Sequence, residues 1–82
     1  MTSRLFVLDV PENSGVIDVA RGLPGVRVGK TGPYFVVESD APISIDRRAT
    51  GMRHAVWYSC VAGLDGWRIA AWDKDALRTE PR

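Results

Sequence analysis

The 82-residue chain has little of what reactive centres are made from: one cysteine, Cys60, and one histidine, His54. A single cysteine excludes an intrachain disulfide framework. One Cys and one His cannot complete the tetrahedral ligand set of a structural zinc ion. Glutamate is scarce too, at Glu12, Glu38 and Glu80. None stands in a Glu-x-x-His pair, so the chain cannot itself build a four-helix diiron carboxylate site. No charge of one sign dominates. The net charge is +1 with acidic and basic residues interspersed, which supplies no long-range field for a phosphate backbone and argues against nucleic-acid binding. No apolar run is long enough to cross a bilayer, and the opening MTSRLFVLDVPEN lacks the apolar centre of a signal peptide. The expectation is a soluble cytoplasmic protein.

What is present is an ordinary globular composition, 45% hydrophobic and 26% charged. The length predicts a single domain over 1–82, ordered from about 4 to 78 with a frayed tail at 79–82. A chain this short buries only roughly 60% of its unfolded surface, which leaves little room for a deep pocket beside a core.

Leu5-Phe6-Val7-Leu8 reads as a buried strand closed at Pro11. Ser14 is the expected N-cap of a short helix carrying Val16, Ile17, Ala20 and Leu23 on one stripe, stopped by Gly22 and Pro24-Gly25. Everything after Pro24 reads as β: Val26 and Val28, a turn over Gly29 to Pro33, a strand from Tyr34 to Val37, and an alternating Ile43 to Asp46. Arg47 to Gly51 is a connection, with room for one helical turn at most. Met52 to Val61 reads as a strand, Gly63-Leu64-Asp65-Gly66 as a hairpin loop, and Trp67 to Trp72 as its return. Asp73 to Arg78 reads as the start of a last short helix. The expected fold is a small α+β domain of order β-α-β-β-β-β-β, mostly antiparallel, with one main helix on one face and a C-terminal β-hairpin.

No catalytic set emerges. Gly29-Lys30-Thr31 resembles part of a phosphate-binding loop, but Gly25 and Gly29 are separated by three residues where the motif needs four, and a strand follows where it needs a helix. On a regular strand, His54 and Cys60 would lie about 20 Å apart, far beyond the roughly 3 Å a base needs to reach a thiol. Cys60 then reads as a small buried hydrophobe and His54 as a surface or strand-end residue.

The aromatic content is concentrated in "MRHAVWYSCVAGLDGWRIAAW", which holds all three tryptophans. As strands, its two arms are apolar on both faces, so the hairpin is either core or a face covered by another protein, with at least one Trp in the core. Tyr, Trp and Arg are enriched at interface hot spots. The candidate partner-binding residues are therefore Tyr34, His54, Trp57, Tyr58, Trp67, Arg68 and Trp72.

Read in order, "LPGVRV", "GPYFVVES", "APISIDRR" and "YSCVAGLDGWRIAAW" resemble the small effector, or regulatory, proteins of soluble diiron monooxygenases of the methane, phenol and toluene type. The resemblance covers about three-quarters of the chain and departs at Arg47 to Gly51, where the family carries a longer segment with a second helix. It implies a cofactor-free protein that docks on the hydroxylase of a multicomponent oxygenase and modulates its activity. Two other readings fit the residues. One is a homodimeric α+β enzyme or ligand binder with an interface pocket built from Tyr34, His54, Tyr58 and Trp72. The other is a structural self-association module using an exposed edge strand.

Overall fold

The computed structural model describes residues 2–81. Strand β1, Ser3–Leu8, buries Ser3, Leu5 and Val7 by simple alternation and turns Arg4, Phe6 and Leu8 the other way. It is the second-to-last strand of a four-stranded antiparallel sheet of order β2-β3-β1-β5, with β2 at Arg27–Thr31, β3 at Tyr34–Ser39 and β5 at Val61–Asp65. The register sets Leu5 between Val37 and Leu64, and Val7 between Phe35 and Val61, so one face of the sheet is continuously apolar.

Helix α1, Ser14–Arg21, covers that face with Val16, Ile17 and Ala20. Its stripe is as the spacing predicts, but its start is not. A 3-10 turn over Pro11–Asn13 precedes it and Asn13 takes the cap position. Ser14 is the first helical residue, its hydroxyl donating to the Pro11 carbonyl at 3.0 Å. The hairpin joining β2 to β3 also tightens from the expected five residues to Gly32-Pro33, since Gly29 to Thr31 pair with Tyr34 to Val36.

A second antiparallel sheet, β4-β7-β6, is built from Ser44–Asp46, Ala76–Pro81 and Trp67–Trp72. The two sheets share one core, where Trp57, Trp67, Leu5, Ile45 and Leu77 are the largest fully buried side chains. The α+β class, the antiparallel pairing and a C-terminal hairpin are thus as expected. The hairpin, however, joins β6 to β7, and β5 does not pair with β6. Gly66, at φ 81°, carries the chain from one sheet to the other in a single residue. A Cβ there would stand 2.7 Å from the Ser3 hydroxyl, so the crossing admits no side chain.

Three further expectations are corrected. Met52 to Val61 is not a strand. Arg47–Thr50 forms one helical turn, α2, and His54–Trp57 another, α3, before β5 begins at Val61. The buried Met52, Trp57 and Cys60 with half-buried Val56 follow helical spacing, which competes with the alternating pattern over the same residues. Ala76 to Pro81 is strand rather than helix. Asp73 Oδ1 accepts from the Asp75 and Ala76 amides at 2.8 and 3.0 Å, the same bonds a helix cap would make, but here they close a turn. The next residues find β4 on one side and β6 on the other, with Leu77 and Thr79 buried between them. The expected frayed tail is consequently strand as far as Pro81, with Thr79 bridged to the Ile43 amide at 3.0 Å, while Arg82 lies outside the described residues.

Helix α1 packs against α2 through Gly15. A Cβ on Gly15 would fall 2.1 Å from the Thr50 carbonyl oxygen, a backbone atom with no rotamer to retreat into. Gly15→Ala is expected to lower the unfolding free energy by on the order of 3 kcal/mol, read from the urea midpoint, because overpacking must move one helix off the other.

Candidate functional site

The predicted site residues fall into three groups. Trp57 and Trp67 are core, 0% and 1% exposed, and the Trp57 indole donates to the Asp73 carbonyl at 2.7 Å. They are withdrawn from any docking surface. Trp57 is buried because α3 forms where a strand is expected, whereas Trp67 is buried at the start of the expected strand β6, directly after Gly66.

Tyr58 and Trp72 come together, with His54 one helical turn before Tyr58. Tyr58 closes α3, its amide donating to the His54 carbonyl at 3.2 Å, and its ring lies 5.9 Å from that of Trp72 at a 42° tilt. Such an offset pair adds about 0.5–1.5 kcal/mol beyond area burial. Trp72 is half-buried and its indole N–H has no hydrogen-bond partner among the described residues. Arg68 stands apart, exposed on β6 and paired with Glu80 across the hairpin. Tyr34 begins β3, opposite Leu8 of β1.

Several polar groups are fixed by the fold. The buried Cys60 thiol is pushed up to about 11 by desolvation, the reverse of an activated nucleophile, whereas His54 is exposed. The Asp75 and then the Ala76 amide hold the Asp73 carboxyl below its ordinary range. The Arg47 guanidinium donates to the Met52 carbonyl at 2.9 Å and to that of Lys74, tying α2 to the β6–β7 turn. Among the described residues no group of three His, Cys, Asp or Glu side chains is placed to hold a metal ion, and no helix is long and apolar enough to cross a membrane.

What remains is surface. The four-stranded sheet has a second face, away from α1, on which alternate residues stand in rows across the strands. Arg27, Glu38, Arg4 and Asp65 form one row, with Arg4 reaching Glu38 at 3.4 Å and Asp65 at 3.3 Å. The next row is Gly29, Val36, Phe6 and Gly63, and beyond it stand Thr31, Tyr34 and Leu8. Leu8, Tyr34 and Tyr58 are the exposed large hydrophobics among the described residues, at 40, 37 and 49%. Leu8 pairs with Tyr34 at one end of this sheet, while Tyr58, at the end of α3, packs on Trp72 of β6. Leu8 and Phe6 are absent from the residues predicted from sequence, while Val36 between them and β2 is buried. Their signal is the unbroken run Leu5 to Leu8, which in a sheet covered on one side must point two apolar side chains outward.

No protein-family model and no curated protein sequence matches the chain. In three dimensions the whole chain superposes on the whole of a chain from the solved structure of the phenol hydroxylase–regulatory protein complex, with a TM-score of 0.78 and 11% identity. At that identity the likeness is one of fold. It meets the pattern-level resemblance to the effector proteins of diiron monooxygenases, and the helical turn α2 occupies the region, Arg47 to Gly51, where that resemblance departs.

Because its folded-state value lies above the ordinary 9.0, Cys60 contributes stability that is fully present below pH 9 and lost as pH rises toward 11. The urea midpoint is expected to fall across that window, and to fall less in Cys60→Ala. The native thiol is expected to resist thiol-reactive dyes until denaturant is added.

Proposed function

We propose that this chain is a non-enzymatic, cofactor-free effector: a single-domain cytoplasmic protein that docks on the hydroxylase component of a multicomponent diiron monooxygenase and modulates its activity. The observation that carries the proposal is the exposed Leu8–Tyr34 pair at one end of the four-stranded sheet, together with exposed Tyr58 packed on Trp72, on a fold whose solved likeness comes from a hydroxylase–regulatory protein complex. Contiguous exposed apolar side chains are a cost in a free monomer and a gain once covered. Tyr58, backed by Trp72 and with His54 one turn earlier, has the character of an aromatic anchor: large, stiffened by its neighbour and amphipathic at its tip.

Calorimetric titration against the hydroxylase of an oxygenase encoded beside this chain, with turnover measured in parallel, tests the proposal. The expected result is saturable binding and altered turnover. Tyr58→Ala and Tyr34→Ala should weaken binding at least tenfold, about 1.4 kcal/mol each. Arg68→Ala, which removes an exposed ion pair with Glu80, should change it by about twofold or less. A hydroxylase that neither binds the chain nor changes its turnover overturns the proposal.

A further inference from the structure

The outer face of the four-stranded sheet is complementary to itself, and we propose that it is where a second copy of this chain docks. The order of charges along its first row is Arg27, Glu38, Arg4, Asp65, alternating in sign across β2, β3, β1 and β5. A two-fold axis parallel to the strands, passing between β3 and β1, lays β5 of one copy over β2 of the other and β1 over β3. Arg27 then faces Asp65 of the second copy and Glu38 faces Arg4 of the second copy, so every charge in the row meets its opposite. The same operation repeats each contact twice, as an isologous interface requires.

Shape follows the same symmetry. A Cβ on Gly63 would touch the Phe6 ring at 3.7 Å, so the ring lies beside the bare backbone of Gly63. On the opposite side of the sheet a hollow opens over Gly29 and Val36, walled by Arg4, Glu38 and Phe6, and no side chain occupies the space above Gly29. Under the two-fold, Phe6 of the second copy stands over Val36 and leans toward Gly29, into that hollow. In the third row, exposed Leu8 meets exposed Tyr34 of the second copy. The result is an aligned sheet-on-sheet packing with an apolar centre and a charged margin. Four strands about 4.8 Å apart and about five residues long present roughly 20 by 17 Å, less than a standard interface, so the dimer is a weak and reversible one.

The test uses the chain alone, which keeps its outcome separate from hydroxylase binding. Sedimentation equilibrium of the wild type, run from micromolar to about millimolar concentration, is expected to show a monomer–dimer equilibrium weakened by salt. Arg4→Glu and Glu38→Arg each place like charges across the two-fold and should each weaken self-association at least tenfold. Mixed in equal amounts, the two variants restore both intermolecular pairs, and heterodimer should form with affinity near that of the wild type. Arg27→Glu mixed with Asp65→Arg repeats the experiment at two more exposed positions, should either inner variant unfold. A wild type that stays monomeric throughout, or variants that fail to recover on mixing, overturns the proposal.

Discussion

The structure turns on a single residue without a side chain. Gly66 reverses the chain out of β5 and into β6, and with that step the polypeptide leaves one sheet and enters the other. The positive φ and the nearness of Ser3 leave no space for a Cβ. Because the crossing takes one residue, Trp67 is delivered directly into the space between the sheets, where Trp57 arrives from α3. Two indoles fill what would otherwise be a seam, and the Trp57 hydrogen bond to Asp73 anchors the β6–β7 turn to the same centre. In a domain of this size such large side chains supply a disproportionate part of the buried apolar surface.

Placing the tryptophans inside decides what is left for function. Most polar groups with chemical potential are committed to holding turns: Asn13 donates to the Leu8 carbonyl, Arg47 bridges two segments, Asp73 closes a hairpin, and Thr79 pairs with Ile43. Cys60 is sealed and neutral. The sheet face that α1 does not reach carries exposed Leu8 and Tyr34, and exposed Tyr58 packs on Trp72. The fold is shared end to end with a chain of a hydroxylase–regulatory protein complex.

Legibility followed the strength of local signals. The first half, β1 through β3, was readable because alternation, the helical stripe and the Pro-Gly stops each favoured one structure. Residues 52–61 were not, because MRHAVWYSC satisfies both periods: its apolar residues alternate loosely, yet Met52, Val56, Trp57 and Cys60 also share a helical face. Asp73 was ambiguous for a different reason, since a helix cap and an Asx turn draw on the same two amides. Tyr34, Tyr58, His54 and Trp72 are candidates on residue type alone. Leu8 and Phe6 were passed over because a buried strand and a half-covered one look alike until the number of covering helices is known.

By itself the sequence determined the class of the fold, an α+β domain, the impossibility of an intrachain disulfide with one cysteine, and a pattern that resembles the diiron-oxygenase effectors. Tertiary structure decided where each aromatic went. Whether a Trp is core or interface depends on which strands lie next to its own, and those neighbours are set by pairings between residues far apart in the chain, such as Val7 with Val61 and Leu77 with Ile45. Local periodicity carries no information about such partners, because the free energy that selects them is gained only when both sheets close on the same core.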